Sequence, residues 1–433
     1  MRPRPSLLLS HVLPALLLGL LPLSACRADE LNAQQPEASS LPMPVAQDPL
    51  TLVPNAIALA DGTTFNLSLP PEFQITVAAE GLKRIRFMAQ SPDNRIFVTD
   101  MFNLTDNTRG KVYILEDFDA EQGTFGHITT YLSGLRNPNS VAFYTDSEGN
   151  HWLYLALTDK LVRYPYRNGD IAPSGEPQVL AEFPDYGLSY KYGGWHLTRT
   201  VLIAPNDKVY VSIGSSCNVC EETEAVRATI MEMNPDGSEQ RFFARGLRNS
   251  VGIDWAYGTL FAVDMGSDHL GNDRPDETLY AVTKGQHYGW PYCFQAEDQV
   301  YADPQFLDSP QRLDCETVPL ADVAFPAHSA PLGIEFFGEE HTASNLQNYF
   351  LVALHGSSDR DLGRGYQVAR AAPGHAPDPF IDGFLQDGEV YGRPADIFTL
   401  GPDTFLLTDD HRGVVYYVTK RQTAIEQITL PGG

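Results

Sequence analysis

The sequence predicts an all-β fold, a six-bladed β-propeller with four-stranded antiparallel blades, on three observations. A strand–turn–strand unit recurs six times between residues 87 and 409. Copies spaced roughly fifty to eighty residues apart fit propeller blades with insertions. The intervening chain breaks into short apolar and β-branched runs separated by Gly, Pro, Asn and Asp, which supply strands and hairpin turns. No long stretch with a 3.6-residue apolar period follows the N-terminal leader, so helix should be scarce. A β-sandwich would not need six similar units.

Taken in order, residues 1–25 read as a targeting segment. Arg2 and Arg4 precede an apolar run from Leu7 to Leu23, which ends in Leu23-Ser-Ala-Cys26. A charged start, a leucine-rich middle and small residues before a cut are the parts of a secretory signal. The run is too short to read as a spanning helix. The cysteine after Leu-Ser-Ala resembles the bacterial lipoprotein cleavage motif, making Cys26 the expected lipidation site; ordinary cleavage nearby is the alternative. Residues 26–66, rich in Ala, Gln, Pro, Ser and Asp, read as a flexible tether. The propeller is expected over 67–433.

The first unit is Phe87 to Asp100. The second pairs Ser140-Val-Ala-Phe-Tyr144 with Trp152–Ala156. Thr200 to Gly214 is the third. Val251-Gly-Ile-Asp-Trp255 with Thr259–Asp264 makes the fourth. Leu332-Gly-Ile-Glu-Phe-Phe337 with Tyr349–Leu354 makes the fifth, and Asp396 to Asp409 the sixth.

The net charge of −25 excludes a nucleic-acid partner, which needs a basic surface, and an anionic ligand would need a local pocket of arginines. Export implies an oxidising compartment. Four cysteines remain after Cys26, and their spacing fits the pairs Cys217–Cys220 and Cys293–Cys315. A four-thiolate zinc site is the rival reading, although the second pair lacks CxxC spacing. Glu221 follows Cys220 where a c-type haem site would carry histidine.

Candidate chemistry begins at Lys191-Tyr-Gly-Gly-Trp-His196, a glycine-loosened loop with one histidine. A histidine near pKa 6.5 is the usual general base at neutral pH, though a loop histidine is often only a satisfied structural group. Gly246-Leu-Arg-Asn249 leads into the fourth unit, and Gly134-Leu-Arg-Asn137, leading into the second, is a near copy. The copy points to a structural use for Leu-Arg-Asn and lowers the functional weight of Arg136. At the centre of a propeller, Arg248 could hold a carboxylate or polarise a carbonyl. Asp264 to Glu277 is the densest polar cluster. Its hard oxygens, Asp276 and Glu277 among them, suit calcium, but EF-hand spacing is missing and a solvated acidic loop is the plain alternative. Lys284 to Cys293 reads either as an aromatic wall over a planar ligand or as a packed corner. His355, Arg360, Arg364 and Arg393 lie beside the fifth and sixth units and would add positive potential at one mouth. There is no Gly-x-Ser-x-Gly elbow, P-loop, dinucleotide fingerprint or His-Glu-x-x-His, which disfavours nucleotide cofactors and serine hydrolysis.

As a set, Gly194-Trp-His-Leu-Thr-Arg-Thr200, Gly214-Ser-Ser-Cys-Asn-Val-Cys-Glu-Glu222, Gly246-Leu-Arg-Asn249, Gly271-Asn-Asp-Arg-Pro-Asp-Glu277, His287-Tyr-Gly-Trp-Pro-Tyr-Cys293, Val352-Ala-Leu-His-Gly-Ser357 and Gly392-Arg-Pro394 resemble the soluble pyrroloquinoline-quinone-dependent glucose/sorbosone dehydrogenases, most closely the sorbosone branch. The resemblance spans about residues 70 to 420. It implies a quinone cofactor with Ca2+ at one end of the channel, an aldose or sugar-aldehyde substrate, and an electron acceptor such as a quinone or cytochrome. By position, His196 is the implied base, Arg248 the arginine on the quinone carbonyl, and Asn249 its neighbour. The carbonyls of Gly266 and Ser267 are the implied calcium contacts, and Arg393 the partner of a cofactor carboxylate. Met265 stands where relatives carry an amide beside the cofactor, and Ser358-Asp359 where a Trp-Asn pair is common. The cofactor-contacting lysine has no clear equivalent; His355 and Arg360 are the candidates for its place. The anchor implies a periplasmic, membrane-attached protein, with the outer membrane the expected address. Two other functions stay open at this stage, a non-catalytic surface binding module and a calcium-dependent lactonase.

Overall fold

The computed structural model describes residues 41–46, 48–185 and 195–421. Six four-stranded antiparallel sheets follow one another along the chain. Blade 1 starts at Ile85–Gln90, blade 2 at Ser140–Thr145, blade 3 at Arg199–Ala204, blade 4 at Ile253–Ala256, blade 5 at Pro331–Phe337 and blade 6 at Pro394–Gly401. In every blade the repeated unit of the sequence proves to be the first two strands. Their registers are local hairpins, for example Thr200 opposite Ser212 and Ile397 opposite Leu407. Among the described residues the only helical pieces are short 3-10 turns.

The ring closes through the last sheet. Its fourth strand is Phe73–Ala79, from the N-terminal side of blade 1, paired with Val414–Lys420. The two ends of the propeller are thus joined by strand pairing, which gives the last sheet its fourth strand.

The tether does not run to residue 66 as expected. Val53–Ala58 and Thr64–Leu69 form a hairpin whose alternating Ile57, Phe65, Leu67 and Leu69 join the core between blades 5 and 6. The period-2 alternation of this segment is a strand signal hidden in a polar composition. Upstream of it, the carbonyls of Met43, Ala46 and Asp48 accept bonds from Asn348, Tyr349 and Arg370.

The core is a ring of inter-blade clusters. Phe97, Val112, Leu153 and Leu155 fill one boundary, and Phe261, Val263, Phe350 and Val352 another. Polar side chains stitch the innermost strands across blades. Asp254 Oδ2 accepts from Phe336 N at 2.9 Å, Asp396 Oδ2 from Met88 N at 2.9 Å, and Ser140 Oγ from Val201 N at 2.8 Å. Phe87, Val251, Leu332 and Ala395 from four blades meet as a small apolar cluster of their own, with Met265 packed on it.

Candidate active site

In an antiparallel pair, the start of the first strand lies beside the end of the second. Residues just before each first strand and just after each second strand therefore collect at one end of the propeller. His196, Arg248, Asn249, Met265, His355 and Arg393 all occupy such places. Residues 191–194 of the motif around His196, and Cys26, lie outside the described residues.

Trp195 and His196 both have left-handed backbone, φ 61° and 33°. Non-glycine residues hold this conformation only where surroundings fix it, often at functional sites. The fixing group is Ser215. His196 Nδ1 lies 3.0 Å from Ser215 O and 2.9 Å from Ser215 Oγ, and that hydroxyl donates onward to Cys217 O at 2.7 Å. A carbonyl only accepts, and the hydroxyl has already used its proton. Nδ1 must therefore carry hydrogen, which leaves Nε2 as the lone pair. Burial, followed by the charge of Arg248, holds this imidazole well below pKa 6.5; the bond to Ser215 opposes the shift. His196 is thus neutral at physiological pH, with one nitrogen free to take a proton.

Gly214 brings the second group close. A Cβ there would lie 2.4 Å from Asn249 Oδ1 and 2.6 Å from His196 Cβ. Only glycine allows these two side chains to meet across the blade 3–4 corner. Arg248 is buried at 5% exposure. Its Nε donates to Asn218 O at 2.8 Å and its Nη2 to Asn218 Oδ1 at 2.8 Å. Its partners are thus an amide and carbonyls, and no carboxylate of a described residue bonds the guanidinium. Asn249 Nδ2 lies 3.2 Å from Met265 Sδ, so the Met265 thioether takes the role of a weak acceptor beside the pocket.

Three aspartates end the second strands of blades 1, 4 and 6, and each fixes an arginine by its main chain. Asp100 accepts from Arg84 N at 3.0 Å, Asp264 from Arg248 N at 2.8 Å and Asp409 from Arg393 N at 2.8 Å. Sequence reasoning missed this device. Its signal was present, since units one, four and six all close on Asp. Burial raises Asp264 to about 6 and Asp409 to about 7.

The opposite side of the mouth is a charge cluster that sequence reasoning also missed in part. Asp410 holds Arg86 Nη1 at 2.7 Å, Arg84 Nη1 at 3.0 Å and His355 Nε2 at 2.7 Å. Burial works against the ionised carboxyl, yet His355, Arg86 and Arg84 together hold it well below the usual carboxylate range. Arg393 grips loop carbonyls instead, Gly356 O at 2.8 Å and Ser357 O at 3.1 Å, with its guanidinium 4.6 Å over the Tyr366 ring. Arg360, offered with His355 for the missing lysine, sits exposed on a 3-10 turn, Arg360–Leu362, away from these contacts.

The two side chains expected near a metal are both engaged with the chain. Glu277 Oε2 accepts from Gly266 N at 2.7 Å and its Oε1 from Ala330 N at 3.4 Å; burial raises it to about 8. It braces the loop as a largely neutral acid. Asp276 faces Gln295. The carbonyls of Gly266 and Ser267 receive no hydrogen bond from any described residue, which leaves two hard oxygens available. Among the described residues, three metal-capable side chains cluster only at Cys217, Cys220 and Glu222. There the sulfurs form a disulfide, as do Cys293 and Cys315, which removes the four-thiolate zinc reading. The aromatic wall is a packed corner: Tyr288 and Trp290 are buried.

A six-bladed propeller thus gathers a neutral histidine, an arginine whose guanidinium bonds no described carboxylate, and further arginines at one mouth. The chain belongs to the TrAA12-like family, whose model matches residues 67–379. It is similar to an uncharacterized protein of Borreliella burgdorferi, 30% identical over 391 residues that cover 85% of this chain and 94% of that one. Among solved structures, it resembles the holo form of the pyranose dehydrogenase PQQ domain from Coprinopsis cinerea. The TM-score there is 0.64 at 17% identity, over 82% of this chain and 97% of that one. The calcium structure of the AA12 carbohydrate-active enzyme from Trichoderma reesei gives TM-score 0.65 at 17% identity, over 82% and 96%. At such identities the likeness is one of fold.

Proposed function

We propose that this protein is an oxidoreductase that oxidises an aldose or sugar aldehyde, with pyrroloquinoline quinone and Ca2+ as its cofactors. The observation that carries the reading is the fixed tautomer of His196: Nδ1 is tied to Ser215 and Nε2 is left as a neutral base. The donor set fits a planar tricarboxylate and a hard cation. Arg84, Arg86 and Arg393 gather at one side of the mouth, and the unbonded carbonyls of Gly266 and Ser267 at the other. The two solved structures that the chain resembles, a holo PQQ domain and a calcium form, support the same pair of ligands.

When bound, the quinone supplies a two-electron acceptor, and calcium supplies Lewis acidity. The chain's part is to position and to move the proton. His196 Nε2 takes the proton of the sugar hydroxyl as the carbon–hydrogen bond breaks. Arg248, buried and bonded to no described carboxylate, would hold a cofactor oxygen and favour negative charge there. The arginine cluster and Asn249 orient the anionic ring system. Reduction of a dye by the purified protein, with calcium, quinone and a panel of sugars, tests this. His196→Ala is expected to lose roughly 10²- to 10⁴-fold in turnover while quinone binding is kept. Failure to bind quinone at all overturns the reading in favour of a binding module.

Export and lipidation at Cys26 complete the proposal, placing the propeller on the periplasmic face of a bacterial membrane. Membrane association that survives Cys26→Ala would refute the anchor.

A further inference from the structure

The loop from Ser215 to Glu222 touches both working side chains. Its Ser215 fixes His196 Nδ1, and the same Ser215 hydroxyl is anchored on Cys217 O. Its Asn218 offers the carbonyl and the amide oxygen that hold the Arg248 guanidinium, while Asp268 N donates to that amide oxygen at 3.0 Å. Yet among the described residues no backbone–backbone hydrogen bond ties residues 216–223 to the propeller. What fixes the loop is side-chain contact: the Cys217–Cys220 disulfide, the carboxyl of Glu222 accepting from Ser216 N and Ser216 Oγ at 2.6 Å each, and Glu221 Oε1 accepting from Ser309 Oγ. Asn218 lies inside the ring that the disulfide closes. Both cysteines are partly exposed, so a reductant can reach them.

We propose that the Cys217–Cys220 disulfide is a positioning clamp for the site, holding Asn218 against Arg248 and Ser215 against His196, and that its reduction loosens both. Opening breaks one S–S bond and makes two thiols; the two electrons and two protons come from a dithiol, which closes to its own disulfide. Without the ring, Asn218 loses the constraint that presents two oxygens to one guanidinium. Asn218 and the cysteines are positioning residues, since they act through Arg248 and His196.

The test reads His196 directly and needs no quinone. In the full chain with ¹⁵N-labelled histidine, His196 should show one tautomer, hydrogen on Nδ1, and a titration displaced below 6.5. The charges facing it are Arg248, Arg199 and Arg227. Arg199 Nη1 bonds His196 O, and Arg227 Nη2 bonds Pro184 O, partners outside the loop. In the double variant Cys217→Ser/Cys220→Ser, Arg248 is free to move off, so the titration should rise toward 6.5 and the tautomers should mix. Asn218→Ala keeps the disulfide, should raise the titration alone, and decides the matter should the double variant not fold. Dithiothreitol on the native chain should reproduce the double variant. Cys293→Ser/Cys315→Ser, which opens the other disulfide, should leave His196 as in the parent. Signals of His196 that stay put in both loop variants, or that move equally in the Cys293 variant, overturn the clamp. The activity arm rests on the dehydrogenase reading: turnover should fall roughly 10- to 100-fold, with KM little changed. Loss of quinone binding by the parent would sink that reading and leave the nitrogen result standing.

Discussion

Gly134-Leu-Arg-Asn137 and Gly246-Leu-Arg-Asn249 lead into blades 2 and 4 with the same four residues, and the structure puts them to different uses. Arg136 is neutralised. Its Nε and Nη2 bond the two oxygens of Asp106 at 2.9 and 2.6 Å, and its Nη1 reaches Asp185. Among the described residues, the Arg248 guanidinium at the matching place hydrogen-bonds the amide and carbonyl oxygens of Asn218 and Met265. One arginine is a fastener between loops; the other bonds no described carboxylate, which under the proposed function leaves its charge for a ligand. The difference lies wholly in the partners, which come from elsewhere in the chain. A motif copied within one sequence therefore fixes a backbone route, and its neighbours assign the role.

The sharpest break of this comparison exchanges what each variant loses. Arg136→Leu strips the ion pair from Asp106, whose side chain is fully buried, and should cost about 3–5 kcal/mol of stability, read as a lowered Tm, with turnover per folded molecule intact. Arg248→Leu should do the reverse. Turnover should fall about 10²- to 10³-fold, the usual cost of removing one preorganised donor to developing charge, while Tm moves far less. Equal effects of the two on turnover would refute the division of roles.

The same comparison shows what the chain made legible. The inner strand pairs were readable because each is a local hairpin with its turn residues between. The fourth strand of blade 6 was not, because Phe73–Ala79 pairs with Val414–Lys420 from the far end of the sequence. His196, Arg248 and Asn249 were readable from motifs within one stretch. The Arg84–Arg86–His355–Asp410 cluster was only half visible, since its two arginines stand some 270 to 325 positions from His355 and Asp410 and meet them only when the ring closes. The roles of Asp276 and Glu277 were not readable, because an acidic run reads alike whether it binds a cation or caps backbone amides.

A subtler change converts one loop toward the other. Asn218→Asp would give Arg248 the carboxylate that Arg136 has. The Arg248 charge disfavours the His196 imidazolium, so neutralising it lets the His196 pKa rise toward 6.5. Activity that needs the neutral ring should then fail at higher pH than in the parent. The acidic limb of kcat against pH moves upward; a limb that stays in place, or moves down, contradicts the electrostatic coupling.

Asp396, which stitches two blades, contrasts with Asp410 in the same way. Asp410 is surrounded by cations and stays ionised, whereas burial raises Asp396 from its ordinary 3.8 to about 8 despite the Met88 N–H and Arg86. A raised folded pKa contributes stability that is complete below about pH 4 and is lost as pH climbs through about 8. Thermal stability should therefore decline across this window. Asp396→Asn, which keeps a carbonyl oxygen for Met88 N, should flatten the decline when Tm is followed from pH 5 to 9.

The smallest effect belongs to Arg360. It and His355 shared one expectation, a substitute for the missing lysine. His355 is locked to Asp410 inside the mouth, while Arg360 is exposed and its side chain makes no hydrogen bond or ion pair with a described residue. A long exposed side chain with no fixed partner keeps its rotamer freedom and contributes little until something orders it. Arg360→Ala should change turnover and quinone affinity by less than about twofold, whereas His355→Ala should weaken quinone binding far more. A large loss at Arg360 would mean that the turn Arg360–Leu362 folds over the mouth when the pocket is filled, and would move the lysine's role from the Asp410 cluster to that turn.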